Sequence, residues 1–187
     1  MKLTAELARI HAHLCGDGSM YKYKTSEKDR INRAVISYTN KNPKLLEEFR
    51  KDMNKLFDVK MTFKDRHRDE VIVKSIRIFN IINKMFGDLS SRKWKIPKII
   101  KNSSKEIKLE WLKAFFEDEA YHEKRYNRLK IKSVNYEGLK DVQKILSSIK
   151  IISNLTGPNC DDSYYLTISK FDSVKEFSNF IKEPIRK

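Results

Sequence analysis

Two acidic strings carry the chemistry that this sequence could perform. One is Ala12-His13-Leu14-Cys15-Gly16-Asp17-Gly18 and the other is Ala114-Phe115-Phe116-Glu117-Asp118-Glu119-Ala120. In each, an acid stands five positions after a small residue: Asp17 after Ala12 and Glu119 after Ala114. Ala12 and Gly16 are four apart, so on a helix they share one face and let a second helix approach closely. If the two helices pack through Ala12 and Ala114, Asp17 and Glu119 emerge together at their ends. Two carboxylates beside a phosphate need a counter-charge, and Mg2+ (or Mn2+), which prefers oxygen ligands and water, is the natural one. Such an ion can activate water and stabilise the leaving oxygen of a phosphodiester. Read locally, a Gly-Asp-Gly helix cap and an acidic solvent face account for the same strings, and local sequence alone favours that reading.

The elements that must position these acids follow from periodicity and capping. Leu3–Cys15 reads as a helix closed by Gly16-Asp17-Gly18. Met20–Lys24 alternates as a strand, with Lys22 and Lys24 on one face and Tyr21 and Tyr23 on the other. After a turn over Thr25–Asp29, Arg30–Asn40 returns. Asn42 and Pro43 start a helix carrying Leu45, Leu46, Phe49, Met53, Leu56 and Phe57 at helical spacing. Lys60–Arg66 and Glu70–Ile76 form a second hairpin, the former with Met61 and Phe63 on one face. Ile78–Phe86 is a helix closed by Gly87.

Residues 88–104, with Trp94, Pro97 and Ser103-Ser104, read as a linker, after which the order restarts. Lys105–Phe116 is a helix, Tyr121–Lys124 and Arg128–Val134 a hairpin, and Asn135 caps the next helix. Ile151–Leu155, Tyr164–Ser169 and a helix over Val174–Ile181 complete it. The chain is a doubled unit of α+β class, two αββαββα halves over residues 1–87 and 105–187. The two capping asparagines, Asn42 and Asn135, stand 135 − 42 = 93 positions apart.

The chain has 187 residues, with 40 Lys and Arg against 25 Asp and Glu, a net charge of +15. That surplus attracts polyanions, nucleic acid first; lysine enrichment from a biased genome or a hot habitat is the alternative source. The hydrophobic share of 40% supports a core and excludes a disordered basic tail. No run approaches the ~20 apolar residues of a membrane span, and the N-terminus lacks the pattern of a signal peptide. Cys15 and Cys160 are the only cysteines, which excludes a disulfide framework and fits a reducing cytoplasm. In several strands one face is basic and the other apolar, so the open sheet faces would be ladders of Lys and Arg.

On these residues the sequence resembles a LAGLIDADG homing endonuclease of the single-chain archaeal type. In its register the motifs are Ile10–Gly18 and Leu112–Ala120. The doubled element order, the asparagine caps and the Trp94-x-Ile96-Pro97 segment resemble the family as well. The resemblance implies two pseudo-symmetric halves, each with a four-stranded antiparallel sheet, packed through the motif helices with Ala12, Gly16 and Ala114 at the contact. It implies a monomer that saddles double-stranded DNA and cuts both strands across the minor groove. Asp17 and Glu119 would be catalytic residues holding divalent metal, in an intron-encoded enzyme. Lys41 matches a catalytic lysine of some members; its second-half counterpart is Val134, for which Lys132 could substitute. Lys22, Lys24, Arg30, Arg33, Lys60, Lys64, Arg128, Lys130 and Lys132 are the expected groove-facing residues, with Asn32 and Tyr38 adding contacts. His11 and His13 stand where apolar residues are usual and read as partly exposed or hydrogen-bonded, since His-x-His sets the rings about 200° apart on a helix. Ala120, in place of the usual glycine, is expected to strain the exit from its helix. The competing reading is a non-cleaving binder on the same scaffold, an intron RNA maturase or a DNA-binding regulator.

Overall fold

The computed structural model describes residues 2–24, 33–64 and 67–169, together with Asp172, Val174, Lys175 and Phe177. In chain order the elements of the first half are α1 (Ala5–Cys15), β1 (Gly18–Tyr23), β2 (Arg33–Thr39), α2 (Pro43–Phe57), β3 (Thr62–Lys64), β4 (His67–Lys74) and α3 (Ile76–Phe86). A short helix α4 (Lys98–Lys101) precedes α5 (Lys105–Glu119), β5 (Ala120–Glu123), β6 (Arg128–Ser133), α6 (Tyr136–Ser148), β7 (Asn154–Thr156) and β8 (Tyr164–Ile168). Asp172, Val174, Lys175 and Phe177 are helical, and Val174 and Phe177 are buried. The strands form two four-stranded antiparallel sheets, ordered β1-β2-β4-β3 and β5-β6-β8-β7. This is a two-half α+β fold.

Local chemistry starts the helices where the sequence marks them. Thr4 accepts from the Leu7 amide at 3.3 Å, Asn42 from Lys44 at 3.1 Å and Asn135 from Gly138 at 3.0 Å. Each bond satisfies an amide that the first helical turn leaves without a partner. Pro43 sits in the first turn of α2, where its missing N–H costs nothing. The apolar faces of the helices and the inner faces of both sheets share one continuous core, which includes Leu7, Ile10, Phe49, Trp111, Phe115 and Phe177.

The connecting residues 88–104 pack into that core. Trp94 is buried with its ring 5.2 Å from that of Phe115, and its carbonyl accepts from Asn135 Nδ2 at 2.7 Å. Gly138 leaves room for it, since a Cβ there would meet the indole at 2.6 Å.

Strand register decides which side chains face the helices. In the first sheet Met20 pairs with Ile36, Lys22 with Ala34, and Tyr38 with Val71. Ala34, Ile36, Tyr38 and Val71 are all buried, so this set faces the helices. The open face carries Tyr21 beside Val35, Tyr23 beside Arg33, and Ser37 beside Ile72. The expected polarity of β1 is therefore reversed. Lys22 is on the helix side, its Nζ 4.9 Å from the ring centroid of Phe79, while Tyr21 stands 48% exposed on the open face. A lysine at a sheet edge can lay its stem on apolar surface and keep its ammonium wet, so alternation alone does not say which face is inside. Met61 and Phe63 also part company. Met61 is buried, whereas Phe63, on the short edge strand β3, is 43% exposed under the guanidinium of Arg50. Ala120 is in ordinary extended conformation (φ −84°, ψ 150°), so it does not strain the exit from α5.

Candidate functional site

Helices α1 and α5 run parallel with their C-terminal ends together. Three contacts along their length fix this alignment. Arg9 bonds Glu110 at 2.5 Å, Trp111 Nε1 donates to His11 Nδ1 at 2.8 Å, and Gly16 lies against Asp118. A Cβ at Gly16 would stand 2.9 Å from both Cβ and Oδ2 of Asp118. Ala12 and Ala114 are fully buried at the same seam. The close approach is at Gly16, where the absence of a side chain leaves room for Asp118.

Asp17 therefore leaves the end of α1, and Glu119 is the last residue of α5, both half-buried. A helix C-terminus carries partial negative charge and disfavours acids there. Two carboxylates at two adjacent C-termini form a strongly anionic spot in a cationic protein. Asp17 Oδ2 accepts from Asn40 Nδ2 at 3.1 Å, and its carbonyl accepts from the Thr39 amide at 3.2 Å. Glu119 shares a cleft with Cys15, Gly16, Lys132, Val134 and Asp161. Burial pushes the Cys15 thiol well up, and the charge of Glu119 adds to this, so Cys15 is a neutral packing residue.

Between these acids lies a buried polar network that sequence reasoning missed. Asp118 is fully buried. It accepts from Tyr38 Oη at 2.6 Å, from His13 Nδ1 at 2.9 Å and from Asn40 Nδ2 at 3.2 Å. His13 is fully buried too. Burial alone would depress its pKa, but Asp118 and, 3.9 Å from Nε2, Glu48 outweigh that and raise it to about 9. The imidazole is thus a cation paired across the seam. Tyr38 is held neutral, first by burial and then by the Asp118 charge. His11 behaves oppositely: burial lowers its pKa to about 3, and it accepts the Trp111 proton as a neutral ring. Both histidines are hydrogen-bonded as expected, yet neither is partly exposed. Glu117 is buried with neither carboxylate oxygen hydrogen-bonded, and burial raises it to about 7. One signal could have found Asp118. It stands four residues after Ala114, which puts it on the packed face of α5.

The basic residues divide into two groups. Arg128, Lys130 and Lys132 alternate with buried Leu129 and Ile131 and line the open face of the second sheet. Lys130 lies 4.4 Å from the ring of Tyr165, Arg128 is 3.6 Å from Glu123, and Lys132 bonds Asp161 at 2.5 Å. On the first sheet Arg33 takes the open face opposite Tyr23, and Lys64 pairs with Glu70 at 2.8 Å. Lys22 does not, as described, and Lys24 follows it by parity one residue past β1. Lys60 precedes β3 and lies beside Arg50, Lys51 and Asn54 of α2, away from the open face. Tyr38 also fails as a groove contact. It is 0% exposed and its hydroxyl is spent on Asp118, because its register with Val71 turns it inward. Arg30 and Asn32 lie outside the described residues. Lys41 is exposed between Asn40 and the Asn42 cap.

Among the described residues no group of three or more His, Cys, Asp or Glu side chains is spaced to hold a metal ion. A divalent ion at Asp17 or Glu119 would complete its shell with water and phosphate oxygens, the habit of Mg2+. The paired carboxylates at helix C-termini fit such an ion in charge and donor type. No helix among the described residues is long and apolar enough to cross a membrane.

Comparison with known proteins places this geometry. Residues 106–182 match the model of the LAGLIDADG-like domain. The fold is shared with the homing endonuclease I-DmoI in complex with DNA and Mn, at a TM-score of 0.72 and 19% identity, covering 97% of this chain and 98% of that one. Mesophilic variants of I-DmoI align with a TM-score of 0.72 at 21% identity, covering 95% and 88%. Full-length DUF199/WhiA from Thermatoga maritima aligns with a TM-score of 0.57 at 12% identity, covering 98% and 57%. Among curated proteins, the ribonucleoside-diphosphate reductase NrdEB subunit alpha of Bacillus subtilis (strain 168) is 24% identical over 167 residues. That match takes in 82% of this chain and only 15% of the length of the reductase subunit.

Proposed function

We propose that this chain is a site-specific endonuclease that hydrolyses both strands of duplex DNA across the minor groove, with a divalent cation at Asp17 and at Glu119. The observation that carries the reading is the pair of acids at the ends of two packed parallel helices, flanked by a second sheet whose open face is basic and a first sheet whose open face carries tyrosines with Arg33 and Lys64. We assign it to the archaeal, intron-encoded type acting as a monomer on the sequence resemblance, with the likeness of fold to the homing endonuclease I-DmoI in support. Mg2+ or Mn2+, when bound, would lower the pKa of water and offset charge on the leaving oxygen. The chain's own residues do the rest. Asn40 orients the Asp17 carboxylate. Lys132, in the cleft with Glu119, and exposed Lys41 beside Asn40 put positive charge where phosphate would lie. Arg33, Lys64, Arg128 and Lys130 hold the duplex, mainly by its phosphates.

Selection of cleaved sites from a random DNA library in Mg2+ tests the proposal. Cleavage by the wild type, lost in Asp17→Asn and in Glu119→Gln, is expected. Equal cutting by those variants removes the acids from catalysis. The second reading, a non-cleaving binder of DNA or intron RNA, draws on Val134 standing where a counterpart of Lys41 would be. Tight metal-independent binding without any cleaved site would decide for it.

A further inference from the structure

We propose that Asp118, a residue of the second half, positions the metal-binding carboxylate of the first half by acting through the side-chain amide of Asn40. The inference rests on Asp17 being a metal ligand. Asn40 is buried, and its amide nitrogen is shared between two carboxylates, Asp17 Oδ2 at 3.1 Å and Asp118 Oδ1 at 3.2 Å. Its other end is fixed as well, because Oδ1 accepts from the Asn42 amide at 2.9 Å. That bond settles which end of the amide is nitrogen and which is oxygen. The backbone of Asn40 is tied to β4 through the Asp69 carbonyl at 2.8 Å. The amide group can therefore do little but point both protons at the two acids. One proton aims Asp17, and the other is held by a carboxylate that crosses over from α5.

Asp118 can serve as this anchor because it is itself rigid. His13 and Tyr38 bond it from two other elements of the first half, and Gly16 gives it a seat that no side chain could share. A carboxylate removed from water is tolerable only with such partners.

The arrangement is one-sided. The α1 position corresponding to Asp118 is Gly16, which has no side chain. The position corresponding to Asn40 is Ser133, whose Oγ accepts from the Asn135 amide at 3.1 Å just as Asn40 Oδ1 does from Asn42. A hydroxyl with one proton replaces an amide with two. The route from Asp118 through a side-chain amide therefore leads to Asp17, and the corresponding position of the second half ends in a serine hydroxyl.

Titration of the 15N-labelled full chain with Mn2+ tests this without reference to cleavage. Paramagnetic broadening of the Gly18 and Thr39 amides in a Glu119→Gln background reports the Asp17 side, and that of the Tyr121 amide in an Asp17→Asn background reports the Glu119 side. The variant His13→Leu/Tyr38→Phe/Asp118→Ala replaces the network by apolar groups. It is expected to raise the Mn2+ midpoint at Gly18 and Thr39 about tenfold, the lower end for lost outer-sphere support, and to leave the midpoint at Tyr121 within about twofold. In an Asn40→Ala background the same three changes should add less than about twofold, because the path through the amide is already cut. An unchanged midpoint, equal rises on both sides, or full additivity with Asn40→Ala overturns the positioning role. Asp118→Asn, which keeps the shape, is judged by the same midpoints if the triple variant does not fold. Wild-type protein without broadening at either site would overturn the metal reading itself, and this inference with it.

Discussion

Replacing His13 by leucine strands the Asp118 carboxylate in the core, and the cost can be worked from the structure in two ways. Breaking a buried ion pair by removing one partner costs about 3–5 kcal/mol. Independently, the imidazole pKa rises from 6.5 to about 9 against its burial, through Asp118 first and Glu48 second. That net shift, left after burial has opposed it, corresponds to about 3 kcal/mol favouring the folded cation at 1.36 kcal/mol per unit. Because the folded-state pKa is raised, the contribution is complete below about pH 6.5 and is lost as pH climbs through about 9. The assay is thermal and guanidinium unfolding of wild type, His13→Leu and His13→Leu/Tyr38→Phe/Asp118→Ala at pH 6, 7.5 and 9.5. His13→Leu should melt roughly 6–20 °C lower at neutral pH, at 2–4 °C per kcal/mol for a chain of this size. The apolar triple variant should recover most of that loss, since Leu, Phe and Ala leave no charge to solvate. Wild type should lose its advantage over the triple variant between pH 7.5 and 9.5. A His13→Leu protein as stable as wild type at pH 6 would refute the argument, as would a wild-type advantage that does not change with pH.

Three further outcomes follow from the same packing. Gly16→Ala should cost about 1–3 kcal/mol, because its methyl would press on Asp118 at 2.9 Å; an unchanged melting temperature would show that the helices slide apart freely. Glu117→Gln should be the more stable protein at pH 8, by about 1–3 kcal/mol, with the gain fading toward pH 4. Burial raises the Glu117 carboxyl above its unfolded value to about 7, so ionising it costs stability only as pH rises; a gain that persists at pH 4 would contradict this. Lys130→Met should lower the log–log salt slope of DNA binding by about one unit and weaken binding across sequences, whereas Lys22→Met, on the helix side of its sheet, should leave the slope unchanged. Equal effects of the two would mean that Lys22 faces the duplex after all.

Much of the fold could be read locally because it is decided locally. Asn42-Pro43 and Asn135 mark helix starts since an orphan amide must be met by a nearby acceptor, and α2 keeps its apolar spacing from Leu45 to Phe57. In β6 the contrast between Arg128, Lys130, Lys132 and Leu129, Ile131 leaves one choice of inner face. In β1 the contrast fails. Tyrosines and lysines both have an apolar body and a polar tip, and only pairing with Ala34 and Ile36 selects the face. Tyr38 faces inward for the same reason. A tyrosine suits a groove as well as a core until its register turns it toward Asp118.

The candidate site divides along the same line. Asp17 and Glu119, their five-residue offset from Ala12 and Ala114 and the duplication around them are properties of the chain, available before it folds. The helical repeat alone puts Asp118 on the packed face of α5. What it could not supply was a reason for a carboxylate to be there. Only the tertiary structure brings His13, Tyr38 and Asn40, from 78 to 105 residues away, within hydrogen-bond distance of it. A buried charge is tolerated when its partners are already in place, and those partners are assembled by the packing of one half on the other.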